Sequence, residues 1–320
     1  MTRTGNILSR RTLLIAGTAA ALGLAGRSAS AQQRNAAPSP DGDASESRMN
    51  GKTALVTGST DGLGSVVAKQ LGALGATVIV HGRNRERAAQ VVSQIETEGS
   101  GSAVFYRSDF ASLDDVRRLA DTVLERHDRL DLLINNAGIW TDGSDARRTS
   151  ADGHELVFAV NYLAGFLLTH RLLPLIRRSA PARIVNVSSL AQQPIDFDDV
   201  MLTSGFSASR AYAQSKLAQV MFTLDLARDL EGSDVTVNSL HPATLMNTAM
   251  VERAGATPRS SVEEGAEAVM QLAVAPELEG ETGSFFNGLN EAGANAQAYD
   301  EDARAKLRAL SVELTGVGAG

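Results

Sequence analysis

The chain has 320 residues, 43% hydrophobic and 21% charged, with a formal net charge of −7, proportions ordinary for a soluble globular protein able to bury a core. The acidic balance excludes a nucleic-acid partner, which needs a basic face. The absence of cysteine excludes disulfides, thiolate zinc sites and cysteine nucleophiles. His81, His127, His154, His170 and His241 are scattered without metal-ligand spacing, so no metal is expected.

The N-terminal eleven residues carry Arg3, Arg10 and Arg11 and no acid. An apolar run of small residues, Thr12–Gly26, follows, and then Ala29-Ser30-Ala31 offers a cleavage pattern. This is the order of regions in a bacterial signal peptide. SRRTLLIAG (9–17) resembles the twin-arginine export motif, with Leu13 and Ile15 where Phe and Lys are common. The run is shorter than the roughly 20 residues needed to span a bilayer. The expectation is a signal peptide over 1–31 and a periplasmic or otherwise exported mature chain with no stable membrane span; the cytoplasm is the second choice. Residues 32–50 are polar and Pro/Ser-rich and read as a flexible linker.

From Gly51 onward, short β-branched runs alternate with amphipathic segments. The strands predicted are TALVTG (53–58), TVIVHG (77–82), AVFYR (103–107), LDLLINNAG (130–138), RIVNVSS (183–189) and VTVNSLHP (235–242), with a seventh at GSFFNG (283–288). Helical patterns lie between them, as in VVAKQLGAL (66–74), VRRLADTVLERH (116–127) and AGFLLTHRLLPLIRR (164–178). Apolar strands separated by helices predict a parallel sheet covered on both faces. The fold class is therefore α/β, a single doubly wound Rossmann-type domain over 51–320 with about seven strands.

TGSTDGLG (57–64) follows the first strand and opens the first helix. Glycine there tolerates positive φ and lets backbone approach a pyrophosphate, while the helix N-terminus offers free N–H groups to phosphate. About 20 residues further on, at the end of the second strand, the chain reads HGRNR (81–85) without an acid to accept a ribose 2′-hydroxyl. Arg83 suits a 2′-phosphate instead, so NADP(H) is expected in preference to NAD(H).

The chain has four tyrosines and four lysines, and one pair stands as Tyr212-Ala-Gln-Ser-Lys216. On a helix, i and i+4 share one face. A phenol with a pKa near 10 is a poor base at neutral pH, and a nearby ammonium is expected to lower that value. Tyr212 would then exchange a proton with an alcohol or carbonyl oxygen.

Together these segments resemble the short-chain dehydrogenase/reductase family over essentially all of 51–320. The signature is TGxxxGxG at 57–64, NNAG at 135–138, VNYLAGFLLT at 160–169, the serine ending RIVNVSS, and YxxxK at 212–216. The resemblance implies a catalytic set of Asn161, Ser189, Tyr212 and Lys216. Ser189 would hydrogen-bond the substrate oxygen, with Ser188 as its competitor. Asn161 would hold a water in a proton relay behind Lys216, and Lys216 would also bond the nicotinamide ribose. The implied cofactor set is Gly58, Ser59, Thr60, Gly62, Leu63 and Gly64 in the loop, Arg83 and Asn84 after the second strand, Asp109 and Phe110 after the third, and Asn136, Ala137 and Gly138 after the fourth, with Tyr212 and Lys216.

The long segment LAQQPIDFDDVMLTSGFSASRA between Ser189 and Tyr212, QSKLA after the tyrosine and the C-terminal LRALSVELTG (307–316) resemble the branch with retinol dehydrogenase-like and WW-domain oxidoreductase-like enzymes. Pro242-Ala243 departs from the family's Pro-Gly, and Thr248 lies later than its usual threonine. The expected activity is interconversion of an alcohol and an aldehyde or ketone, on a small molecule bound by loops 140–153, 190–210 and 243–262, in a monomer or homo-oligomer. One competing reading is a non-catalytic nucleotide-binding or redox-sensing protein, which tends to lose the Tyr or Lys. Another is a sugar-nucleotide epimerase or dehydratase, which usually shows TGxxGxxG and a larger C-terminal domain.

Overall fold

The structure, a computed structural model, describes residues 49–140 and 146–318. The signal-peptide expectation and nearly all of the linker lie outside those residues. Met49, assigned to the linker by composition, is buried at 5% exposure, and its N–H donates to the Leu74 carbonyl.

The elements run β1 (Thr53–Val56), α1 (Gly62–Ala73), β2 (Thr77–Gly82), α2 (Arg85–Glu98), β3 (Ser102–Arg107), α3 (Leu113–Arg126) and β4 (Leu132–Asn135). Next come α4 (Leu156–Arg178), β5 (Ala182–Val187), α5 (Ala208–Asp229), β6 (Val235–His241), the short α6 (Ala249–Arg253) and α7 (Val262–Val274). β7 (Phe285–Asn287), β8 (Asn290–Glu291) and α8 (Glu301–Thr315) complete the described chain.

The sheet order is β3-β2-β1-β4-β5-β6-β7-β8, parallel throughout except for β8, which pairs antiparallel to β7. All seven expected strands form. β1, β4 and β5 stop two or three residues before the ends of their expected runs, because the residues after Val56, Asn135 and Val187 turn away to build the loops of the site, whereas β2 and β3 end where expected. The two-residue β8 was not legible, being too short to show any alternation.

Side-chain alternation puts the two sheet faces into separate cores. Leu55, Ile79, Leu133 and Ile184 pack with Leu119 of α3, Leu167 of α4, Leu217 of α5 and Leu307 of α8. Ala54, Val56, Val78, Val80 and Ile134 pack with Val67 of α1, Ile95 of α2 and Val269 of α7. The central strands β1, β4, β5 and β6 are buried on both sides, hence their near-continuous apolar runs, while the edge strand β3 is only partly covered. A polar ladder crosses the first core. Asn135 Nδ2 donates to Thr169 Oγ1 (3.0 Å) and Asn186 Oδ1 (2.9 Å), and Asn186 Nδ2 donates to Thr223 Oγ1 (2.9 Å). It ties α4 and α5 to the strands that carry the site.

Helix α4 starts eight residues before the expected pattern and contains a π turn over Ala159–Leu163. By length and composition it could cross a membrane, yet its most apolar window is 67% buried within the fold, so it is the domain's central core helix. The strand order reverses between β1 and β4, and ligands of such sheets bind outside the C-terminal strand ends at that switch point.

Candidate active site

The ends of β1 and β4 are stitched together across the switch point. Thr57 Oγ1 accepts from the N–H groups of Asn136 and Ala137, both at 2.9 Å, and Asn136 Nδ2 donates to the carbonyls of Thr57 (2.8 Å) and Gly58 (3.2 Å). This close approach dictates glycine at two points. A Cβ on Gly58, at φ +66°, would lie 2.9 Å from Ala137 Cα, and one on Gly64 would lie 2.5 Å from both the Gly58 carbonyl oxygen and Asn136 Nδ2. Asp61 caps α1 by accepting from Gly62 N–H and pairs with Arg87. The result is a narrow backbone cradle leading into a helix N-terminus, a shape and polarity that fit a pyrophosphate.

The adenosine end of that cradle lies where β2 and β3 finish. Arg83 is exposed and its guanidinium lies 3.9 Å from Asp109 Oδ2, while Arg107 Nε donates to the Arg83 carbonyl at 3.2 Å. Two guanidinium-bearing residues fit a 2′-phosphate, and Asp109 is the acid that Arg83 faces. Phe110 is buried and stacks on the His81 imidazole, with centroids 4.4 Å apart.

Not every expected cofactor residue offers its side chain. Ser59 is fully buried, and its hydroxyl accepts from His81 N–H at 3.0 Å. Leu63 packs into the second core, and Asn84 caps α2 by accepting from Arg87 N–H at 2.8 Å. Thr60 lies against Gly82, where a Cβ would come within 2.6 Å of its hydroxyl. Ser59 and Leu63 thus shape the loop with buried side chains, whereas Thr60 is partly exposed and Asn84 exposed.

The reacting groups converge one strand further on. Ser188 Oγ donates to the Lys216 carbonyl at 2.7 Å, which leaves Ser189, at the end of β5, as the serine beside Tyr212. Helix α5 carries Tyr212 and Lys216 one turn apart, with Lys216 Nζ 5.6 Å from the Tyr212 ring centroid. Lys216 Nζ donates to the Val187 carbonyl and to Gln219 Oε1, both at 2.9 Å. Asn161 sits on the π turn of α4. Its Oδ1 accepts from Ile139 N–H at 2.7 Å, and its Nδ2 donates to the Ile139 carbonyl (3.1 Å) and Ser215 Oγ (3.0 Å). Asn161 thus clamps the segment following NNAG, and a Cβ on Gly138 would lie 3.4 Å from Asn161 Oδ1 and 3.6 Å from Lys216 Nζ. π turns are rare and frequent at functional sites.

Burial governs both titrating groups. It raises the Tyr212 phenol above its usual value, opposed by the hydrogen bond with Ser189, and it pushes the Lys216 ammonium down to about 7. The lowering of Tyr212 expected from Lys216 is not what this structure gives, because burial outweighs the hydrogen bond with Ser189 and raises the phenol.

The mouth of the site is apolar. Trp140 stacks on Tyr212 with centroids 5.3 Å apart, and Leu190, next to Ser189, is 48% exposed. Ile139, Phe206 and Tyr212 pack on a small cluster of Val157, Leu202 and Ala211 built largely from the segment between Ser189 and Tyr212. That segment is pinned by Gln297, whose side chain bonds both the N–H (2.6 Å) and the carbonyl (3.0 Å) of Ile195. Of the expected pocket loop 140–153, residues 141–145 lie outside the described residues. Sequence reading passed over His81, Trp140 and Gln219. The available signals were a histidine in the core register of Ile79, an indole two residues past NNAG, and an amide one turn beyond Lys216.

A glycine cradle at the switch point of a doubly wound sheet, beside a Ser-Tyr-Lys cluster, defines a nucleotide-dependent oxidoreductase architecture. The chain belongs to the short chain dehydrogenase family, which it matches over residues 52–259. Among curated relatives it is 37% identical to retinol dehydrogenase 14 of Homo sapiens, over 84% of this chain and 88% of that protein, and 38% identical to polyprenol dehydrogenase of Mus musculus, over 84% and 85%. Among solved structures it is similar to a short chain dehydrogenase from Escherichia coli complexed with NADPH, at 28% identity and a TM-score of 0.64, covering 77% of this chain and 99% of that one.

Proposed function

We propose that the chain is an NADP(H)-preferring oxidoreductase that interconverts a long apolar alcohol and its aldehyde or ketone. The observation that carries this is the convergence of Ser189, Tyr212, Lys216 and Asn161 beyond the C-terminal end of the central strand β5, one strand from the glycine cradle. The nicotinamide, when bound, supplies or accepts the hydride. Tyr212 holds the proton. Burial keeps its phenol protonated at neutral pH, the form that donates to a carbonyl oxygen as negative charge develops there. Ser189 steadies the same oxygen with its hydroxyl. Lys216 would hold the ribose of the bound nucleotide, and Asn161 fixes the segment after NNAG from behind.

The apolar substrate class is supported by the indole of Trp140 over Tyr212 and by the exposed Leu190 at the rim. It is also supported by the retinol and polyprenol named for the relatives. Arg83, with Arg107 beside it, supports the preference for the 2′-phosphate. The NADP and NADPH complexes among the structural neighbours support it too. SRRTLLIAG supports export by the twin-arginine route. That route carries folded proteins, so a cytoplasmic nucleotide and an export signal are compatible in one chain. The deciding experiment measures NADPH-dependent reduction of a long isoprenoid aldehyde by wild type and Tyr212→Phe. Turnover falls by at least about 100-fold in the variant while NADPH binding is retained; near-normal turnover would sink the mechanism.

A further inference from the structure

We infer that His81 is a positioning residue for the dinucleotide: it holds the first turn of the glycine loop in its receiving shape and ties that turn to the adenosine end of the cradle. The inference rests on the nucleotide site proposed above. His81 ends β2 at 3% exposure and makes three hydrogen bonds to two successive loop residues. Its Nδ1 accepts from Gly58 N–H at 3.1 Å, its own N–H donates to Ser59 Oγ at 3.0 Å, and its carbonyl accepts from Ser59 N–H at 2.8 Å. The other face of the link is the stacking of its ring on Phe110. Gly58 lies in the left-handed region, at φ +66°, and abuts Ala137, so its N–H direction fixes how the loop meets NNAG.

A packing role alone does not account for this residue. Its other ring nitrogen, Nε2, is buried facing the Ser108 backbone without a well-formed hydrogen bond, a polar edge that an apolar ring of similar size would not bring into the core. The nitrogen in use is Nδ1, and it accepts only while the ring is neutral. Burial holds the imidazole down to about 4, against the Ser108 backbone and Asp109, which raise that value, and with Arg83, which lowers it, so the Nδ1 lone pair is available throughout the neutral range. The two backbone bonds to Ser59 survive most substitutions at 81. The Gly58 bond depends on the side chain, and this makes it separable by mutation.

His81→Phe keeps a ring against Phe110 and removes the acceptor, whereas His81→Asn places an amide oxygen near the position of Nδ1 and removes the ring. NADPH affinity measured by titration calorimetry is expected to weaken about tenfold in His81→Phe, the loss from one buried hydrogen bond, and to return to within about threefold of wild type in His81→Asn. Hydrogen exchange read on the loop peptide 57–64 accelerates in His81→Phe and is restored in His81→Asn, while β3 and α3 stay protected. Unchanged NADPH affinity in His81→Phe, or an Asn variant as weak as the Phe variant, would overturn the role. Wild-type protein that binds no NADPH would instead overturn the nucleotide site itself and this inference with it. If His81→Phe misfolds, the Asn variant decides: it must bind NADPH and protect the loop nearly as wild type does.

Discussion

Replacing Lys216 with methionine should stabilise the fold at acid to neutral pH while abolishing turnover. The side chain is 4% exposed, and its ammonium is pushed from 10.5 to about 7 by burial. That difference corresponds to about 5 kcal/mol of penalty for carrying the charge inside. Because the folded midpoint lies below the unfolded one, the penalty is complete below about pH 7 and fades as pH rises towards 10.5. Methionine has a similar length and no charge, but it leaves the Val187 carbonyl and Gln219 Oε1 without their donor. Two orphaned acceptors cost about 2 kcal/mol together, so the net gain at pH 6 is about 2–3 kcal/mol. For a domain of this size that is about 4–6 °C in Tm. At pH 9 the remaining penalty is only about 2 kcal/mol, and the two variants should melt together. Thermal melts of wild type and Lys216→Met at the two pH values read this directly, with circular dichroism to verify the fold. A methionine variant no more stable at pH 6, or a gain that persists unchanged at pH 9, would refute the picture of a strained buried cation retained for function.

Three further outcomes follow from the geometry. Arg83→Ala should weaken NADPH binding about tenfold, one solvent-exposed charge-assisted bond, and leave NADH binding nearly unchanged. Competitive binding measures both, and equal losses would make Arg83 a surface residue only. Gly64→Ala forces a methyl into 2.5 Å contacts with the Gly58 carbonyl and Asn136 Nδ2. It should lower stability by about 1–3 kcal/mol and weaken NADPH binding, checked by melts with and without nucleotide. Arg10→Lys with Arg11→Lys should retain an active, uncleaved precursor in the cytoplasm, whereas wild type appears outside the inner membrane starting at or near Gln32. Fractionation with N-terminal mass analysis decides between them, and wild type found only in the cytoplasm with Met1 intact would end the export reading.

Much of the architecture was legible because its signals are local. The apolar runs at 53–58 and 77–82 are strands buried on both faces, and burial on both faces leaves no polar alternation to obscure them. TGSTDGLG announced a strand-to-helix turn through glycines that have to be glycines, and Tyr212 and Lys216 share a helix face because the helical period alone puts them there.

What the sequence left undecided depends on contacts between segments far apart in the chain. The π turn at Ala159–Leu163 inserts one extra residue per turn into α4, so the straight helical pattern cannot say that Asn161 points at Ile139 and Ser215. Nothing near His81 in sequence reveals that its ring accepts from Gly58 and stacks on Phe110. The ionisation of the catalytic pair belongs to the same category. The side chains of Tyr212 and Lys216 predict an ammonium lowering a phenol, but the depth at which the fold buries them decides that both are pushed towards their neutral forms. Residue type and local spacing determined which groups are present and along which strands and helices they lie. Desolvation and long-range hydrogen bonding, which exist only once the sheet and its helices have closed around those groups, decided their charge and their aim.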